Sequence, residues 1–146
     1  MKVADCMTPD PILVNRRETI EYVAELIRSH RILQIPVVDD ANRLVGIITD
    51  RDIRSAKGPV KPEAPKLVAD DIMTHDVATV TPADSLLEAI DQLTSRNIGA
   101  LPVVVGEHVV GMVSTRDLLR VLRGVLEKDA ALVAAHGLDT FEADIL

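Results

Sequence analysis

A hydroxyl followed three residues later by a carboxylate occurs at two places in the sequence. Thr49 precedes Asp52, and Ser114 precedes Asp117. Each pair follows an apolar run and precedes a helical pattern, which places it at a strand-to-helix corner. A carboxylate there can accept hydrogen bonds from the two neighbouring hydroxyls of a ribose, and a charged acceptor strengthens such bonds. Asp52 and Asp117 are therefore candidate ribose ligands, with Thr49 and Ser114 beside them for ribose or phosphate.

The same spacing has a purely structural interpretation. A hydroxyl three residues before an acid loosely satisfies the capping box of a helix N-terminus, in which each side chain bonds the other residue's backbone. The N–H groups of such a terminus also favour anions. Helix capping and ligand binding both remain open for the two corners at this point.

Basic residues follow both corners at helical spacing. Arg51 and Arg116 stand next to the two aspartates and are the candidate phosphate contacts. The arginines further along each helix have an equally good alternative as a solvated basic face. These residues are Arg54, Arg120 and Arg123.

The two corners belong to a longer internal repeat. Met7-Thr8 returns as Met73-Thr74, and Ile35–Val38 returns as Leu101–Val104. The period is longer than one solenoid unit, so it indicates a duplicated half-domain.

Each copy predicts the same order of elements. A short helical turn and a brief strand precede an amphipathic helix, whose apolar residues recur at i, i+3, i+4 and i+7. Asn15 with Glu18, and Thr81 with Asp84, are predicted to cap these helices, with Pro82 at a first helical position. The apolar stripes are Ile20, Val23, Ala24 and Ile27 in copy one, and Leu86, Ala89, Ile90 and Leu93 in copy two.

Two strands and a second helix complete each copy. The predicted hairpins are 34–39 with 44–49, and 100–105 with 108–114, and their apolar centres indicate sheets covered on both faces. We predict a first domain at 1–57, a linker at 58–67, a second domain at 68–126 and a helical tail at 127–146. The prolines of the linker exclude a regular element there.

Composition limits the function classes. The net charge of −7 and the presence of only two aromatic residues, Tyr22 and Phe141, argue against a nucleic-acid interface. The four histidines show no metal-ligand spacing, and Cys6, the single cysteine, is interpreted as an apolar filler. No apolar run reaches the roughly 20 residues of a membrane span. These features predict a cytoplasmic protein without a metal or membrane association.

The ordered double pattern resembles a tandem pair of cystathionine-β-synthase (CBS) domains over about residues 3 to 123. The stretch 36–53 is also similar to acetoin-utilisation accessory proteins and to the regulatory insert of inosine-monophosphate dehydrogenase. The resemblance implies an α/β fold in which two β-α-β-β-α units pack about a pseudo-twofold axis, with a ligand cleft on each side. It also implies a disc-like homodimer.

The resemblance further implies a regulatory module, not an enzyme, that senses AMP, ADP, ATP or S-adenosylmethionine and requires no cofactor. The loops before the repeated prolines would then offer backbone groups to adenine, through Leu33 and Gln34 and through Gly99 and Ala100. Aliphatic side chains such as Ile12 and Val77 would hold the adenine, since no aromatic residue is available there. A regulated enzyme or transporter is the expected partner.

An interaction protein is the alternative function. In that case the clefts are vestigial, and the helices and the acidic tail at 127–146 dock on an enzyme or a transporter. A hydrolase is disfavoured because the sequence offers no set of nucleophile and base.

Overall fold

Two three-stranded sheets, one for each half of the repeat, form the framework of the protein. The structure is a computed structural model that describes residues 1–56 and 66–136. The strands are β1 (Thr8–Pro9), β2 (Val14–Asn15), β3 (Gln34–Val38), β4 (Leu44–Thr49), β5 (Ala100–Val105) and β6 (His108–Ser114). The helices are α1 (Ile20–His30), α2 (Asp50–Ala56), α3 (Ala69–Ile72), α4 (Leu86–Arg96) and α5 (Thr115–His136), and a 3-10 turn spans Val3–Asp5. The α/β fold class is confirmed.

The two predicted hairpins form as expected. β3 pairs antiparallel with β4, and β5 pairs antiparallel with β6. β2 adds to β3 in parallel, which gives the first sheet the order β2-β3-β4. Four consecutive residues are buried in both β3 and β5, as expected for strands covered on both faces.

The predicted apolar stripes of α1 and α4 face the two cores. Ile20, Val23 and Ile27 are buried in the first core, and the corresponding residues of α4 are buried in the second. Ala24 and Ile90 are partly buried against the same cores. The helical periodicity therefore identified the packed face correctly in both copies.

The predicted helix caps were wrong. The hydroxyl of Thr19 caps α1 by accepting from the backbone N–H of Tyr22, and Ser85 caps α4 in the same way. Asn15 instead accepts from the backbone N–H of Arg17, while Asp84 accepts from the backbone N–H of Thr81. These side chains stabilise turns that precede the helices, where the same short-range hydrogen bonds compete with helix initiation. Pro82 accordingly lies before α4 and not at its first position.

The opening segment of each copy packs on the other copy. β1 pairs antiparallel with β6, which places Thr8 opposite Met112 in the second sheet, whose order is β1-β6-β5. In the reciprocal contact, Thr74 forms a bridge with Ile47 of β4. Val3 is therefore buried in the second core, and Met73 is buried in the first. The two halves are interlocked by a symmetric exchange of their opening segments.

Two glycines make this exchange possible. A Cβ atom at Gly46 would lie 2.4 Å from Met73 Sδ and 3.0 Å from the backbone oxygen of Thr74. A Cβ atom at Gly111 would lie 2.8 Å from Met7 Sδ and 3.0 Å from the backbone oxygen of Thr8. Each glycine thus leaves the space into which the exchanged methionine packs.

The last helix is longer than the sequence indicated. α5 runs from Thr115 to His136 without interruption, so the predicted boundary at 126/127 lies within it. The domain limits remain a prediction, and most of the linker, at 57–65, and the chain from 137 lie outside the described residues. No helix in residues 1–56 or 66–136 has the length and apolarity needed to cross a membrane.

The close approach at Gly46 leads to a stability prediction. We expect Gly46→Ala and Gly111→Ala each to lower the free energy of unfolding by about 1–3 kcal/mol, because the new methyl group overpacks a buried contact. Urea unfolding followed by circular dichroism would measure the change.

Gly124→Ala is the matched control. Gly124 lies inside α5, and apart from the backbone of its own helix no heavy atom of the described residues lies within 4 Å of the added Cβ. This substitution should raise the free energy of unfolding by about 0.5–1 kcal/mol. Equal effects at all three glycines would contradict the packing role of Gly46 and Gly111.

Candidate ligand-binding site

Both predicted corners are joined to the loops that precede the repeated prolines. Thr49 lies opposite Gln34 in the β3–β4 pair, and Ser114 lies opposite Ala100 in the β5–β6 pair. The first residue of α2 donates its N–H to Leu33 O at 2.9 Å, and the first residue of α5 donates to Gly99 O at 3.0 Å. Because these two carbonyls already accept hydrogen bonds, the helix starts are held against the loops.

The two loops approach each other. A Cβ atom built on Gly99 would lie 3.6 Å from the side-chain nitrogen of Gln34. Since Gln34 is paired with Thr49, and Gly99 directly precedes the partner of Ser114, both corners border one region between the halves. The structure thus brings together the predicted loop and corner residues of the two copies.

Asp52 forms a reciprocal capping box with Thr49. The backbone N–H of Thr49 donates to Asp52 Oδ2 at 2.9 Å, and the backbone N–H of Asp52 donates to Thr49 Oγ1 at 3.1 Å. The side chain is half-buried. Within the described residues, no side chain or backbone group donates to Asp52 Oδ1, so this oxygen remains available as an acceptor.

Asp117 forms the corresponding capping box, in which its backbone N–H donates to Ser114 Oγ at 3.4 Å, and its carboxylate accepts three further bonds. Ser114 donates to Asp117 Oδ2 from its backbone N–H at 2.8 Å and from its hydroxyl at 3.0 Å. The hydroxyl of Thr8 donates to Asp117 Oδ1 at 3.1 Å, and Arg120 Nη1 donates to the same oxygen at 3.2 Å. Only 4 % of Asp117 is exposed, and it is the one buried charged residue of the described chain.

The capping interpretation of the hydroxyl and acid spacing is therefore confirmed at both corners, whereas the ribose role of the two aspartates stays a prediction. Sequence reasoning missed Thr8 as a neighbour of Asp117. The repeated Met-Thr pair was visible in the sequence, but its position depends on the exchange between the copies, which no local pattern reveals.

The predicted phosphate contacts are on the surface. Arg51 and Arg116 are exposed, and neither forms an ion pair with another residue in the part of the chain that the structure describes. The three arginines further along these helices pair with acids on their own helices: Arg54 with Asp50, Arg120 with Asp117, and Arg123 with Glu127. Among the basic residues that follow the two corners in the described part of the chain, Arg51 and Arg116 are thus the ones with side chains available to a ligand.

The predicted adenine contacts differ in their surroundings. Ile12 packs against the edge of the first core, and Val77 is half-buried. Leu33 is 73 % exposed and lines an open groove of about 660 Å³ between α1 and α2, which includes neither aspartate of the corners. The side chain of Leu33 therefore belongs to the outer helical surface as much as to the corner.

A second open cavity, of about 440 Å³, lies at the outer end of the first sheet. Its arginines are all paired: Arg17 with Asp40, Arg43 with Asp39, and Arg16 with Asp70 outside the lining. The backbone N–H of Arg43 lowers the pKa of Asp39, and the Arg17 side chain lowers the pKa of Asp40. This cavity contains none of the predicted site residues.

Cys6 lies near the second corner. Burial raises the pKa of the Cys6 thiol, and the nearby charge of Asp117 raises it further. The thiol packs at the edge of the second core, in agreement with an apolar filler. In residues 1–56 and 66–136, no group of three His, Cys, Asp or Glu side chains could hold a metal ion.

The family model of the CBS domain matches the chain twice, over residues 3–58 and 68–124. Curated relatives carry a similar segment. The chain is 38 % identical over 120 residues to homoserine O-acetyltransferase of Methanocorpusculum labreanum, and 28 % identical over 120 residues to inosine-5′-monophosphate dehydrogenase of Methanocaldococcus jannaschii. These matches cover 81 % and 82 % of the chain but only 23 % of either relative. The chain thus spans less than a quarter of the length of these enzymes.

Solved structures share the fold along almost their whole length. The CBS domain pair of protein MJ0100, in complex with 5′-methylthioadenosine and S-adenosyl-L-methionine, has a TM-score of 0.75 at 30 % identity, covering 85 % of this chain and 97 % of that one. A putative acetoin utilization protein (AcuB) from Vibrio cholerae has a TM-score of 0.79 at 29 % identity, covering 90 % and 96 %. The exchanged halves, the paired corners and the double family match together show that this chain belongs to the CBS domain family, as a tandem CBS pair.

Proposed function

We propose that this CBS pair is a regulatory module that binds an adenosyl ligand between its two halves and is not itself an enzyme. The supporting observation is that the two hydroxyl-and-aspartate corners meet at the loops before the repeated prolines. The MJ0100 pair, similar along its whole length, binds 5′-methylthioadenosine and S-adenosyl-L-methionine. AMP, ADP, ATP and S-adenosylmethionine are the ligands whose shared ribose fits this arrangement.

The chemistry of the first corner matches a ribose. Asp52 Oδ1 accepts no bond within the described residues and is within reach of solvent, so it can accept from a diol while Oδ2 keeps its bond to the backbone of Thr49. Arg51 is exposed next to it and supplies a cation for a phosphate. Ile12 and Val77 supply apolar contacts for the adenine, as predicted from the resemblance.

We also propose that two copies associate through the helices of the second half. Four leucines on α4 and α5 are between 41 % and 72 % exposed, whereas Leu118 and Val121 of α5 pack against the second core. Exposed leucines of this number on two helices are candidates for an association surface. We call these residues the leucine face: Leu87, Leu119, Leu122 and Leu126.

The relatives support a regulated partner. The curated enzymes carry a CBS-length segment within a chain about four times longer. We propose that the present chain acts in the cytoplasm on an enzyme or transporter. The alternative, an interaction protein with vestigial clefts, is favoured by one observation, since Asp117 is buried and already hydrogen-bonded.

The ribose role of Asp52 predicts a loss of affinity. Asp52→Ala should weaken adenosyl-ligand binding tenfold to a hundredfold, since a hydrogen bond to a charged group contributes about 1.5–3 kcal/mol. Isothermal titration with AMP, ADP, ATP and S-adenosylmethionine would measure the change.

Asp50→Ala is the control for this titration. Asp50 is an acid on the same helix that pairs with Arg54, so its removal should leave the affinity within about twofold if the effect is specific to Asp52. If the wild-type chain binds none of the four ligands, the sensor function is wrong and the interaction protein remains.

The leucine face predicts the oligomeric state. Leu122→Glu should convert a dimer into a monomer, because it places a charge at the centre of the buried apolar contact. Sedimentation velocity at several concentrations would measure the mass. Val105→Glu, which alters an exposed apolar residue at a hairpin away from α4 and α5, should leave the dimer intact, and a monomeric wild-type chain would contradict the proposed association.

A further inference from the structure

The two aspartates of the corners differ in how many hydrogen bonds they accept. A carboxylate offers about four acceptor positions. Asp117 receives four donors, two from Ser114 and one each from Thr8 and Arg120. Asp52 receives one, from the backbone of Thr49, among the described residues. The acceptor capacity of Asp117 is therefore filled before any ligand arrives, and that of Asp52 is not.

The repeat shows why the two differ. The residue of the first copy that corresponds to Arg120 is Ser55, which is too short to reproduce the arginine contact. Thr74 corresponds to Thr8 and is exposed like it, but within the described residues its hydroxyl makes no bond to Asp52. The donors Thr8 and Arg120 are thus particular to the second copy, whereas the third additional donor, the Ser114 hydroxyl, belongs to the repeated motif.

Burial adds to this difference. Asp117 is 4 % exposed, so a ribose could reach it only by displacing the hydroxyl of Thr8 and the guanidinium of Arg120. Thr8 and Arg120 are themselves exposed and could bond water once displaced, so the obstacle to a ribose is the carboxylate, whose oxygens are occupied and which is itself buried. The second corner is closed by its own side chains.

We infer that Asp117 is the centre of a structural latch, formed with Thr8 and Arg120, and that Asp52 alone accepts the ligand diol, so that each chain binds one adenosyl ligand. The latch ties the exchanged opening segment of the first copy to the start of α5. The stoichiometry rests on the proposed function, whereas the latch itself does not depend on any ligand.

The latch is tested by comparing Asp117→Asn with Asp52→Asn in the full chain. An asparagine at 52 can keep its oxygen toward the N–H of Thr49 and turn its NH₂ to solvent. An asparagine at 117 must place its NH₂ against either the Ser114 donors or those of Thr8 and Arg120. We expect Asp117→Asn to lower the Tm by about 5 °C or more and Asp52→Asn by less than half of that. Equal losses, or a larger loss at Asp52, would overturn the latch.

A second, more conservative pair of substitutions tests the latch if the Asp117→Asn variant does not fold. Thr8→Val removes one latch donor while preserving side-chain shape, and Thr74→Val makes the same change at the corresponding position of the other copy. Thr8→Val should lower the Tm by about 3–6 °C and Thr74→Val by about 1 °C or less. Indistinguishable melting curves would contradict the latch.

The stoichiometry is tested by titrating the same full-length variants with AMP and with S-adenosylmethionine. One equivalent per chain, lost in Asp52→Asn and retained in Asp117→Asn or Thr8→Val, is the expected result. Two equivalents in the wild type, or loss of binding on changing Asp117 but not Asp52, would overturn the inference. If the wild type binds neither ligand, the proposed function fails, and the melting temperatures still decide whether the latch exists.

Discussion

The close contact between two glycines and two methionines is the constraint on which the rest of the structure depends. Met73 packs over Gly46, and Met7 packs over Gly111, at distances that a Cβ atom would forbid. These contacts keep the opening segment of each copy on the opposite sheet. Thr8 reaches Asp117 only because of this exchange. The hydrogen bonding of Asp117 therefore depends on the packing of Met7 against Gly111.

Local patterns in the sequence predicted most of the secondary structure. Continuous β-branched runs and turn residues located both hairpins to within one residue, and helical periodicity identified the buried faces of α1 and α4. The caps were misplaced because Asn15 and Thr81 make the same short-range bonds in a turn that they could make at a helix start. Only the tertiary context distinguishes a turn from a cap in such cases.

The candidate site could be predicted only in part. Residue type and spacing located Asp52 and Asp117, and the structure places both at the expected corners. The difference in hydrogen bonding between the two aspartates could not be predicted from the sequence. It depends on Thr8, which is more than a hundred residues away in sequence, and on the exposure of each carboxyl group. A repeated motif predicts equal backbone geometry, but the number of donors around each copy is set by residues outside the motif.

The uninterrupted course of α5 has a mechanical consequence. The helix begins at the second corner, with Asp117 in its first turn, and continues for 22 residues to His136. At 1.5 Å per residue it is about 33 Å long. Because a helix behaves as a stiff rod over this distance, a tilt of about 5° at the corner would displace the far end by about 3 Å. A small tilt of α5 beside the region where the two halves meet would thus be amplified along the helix.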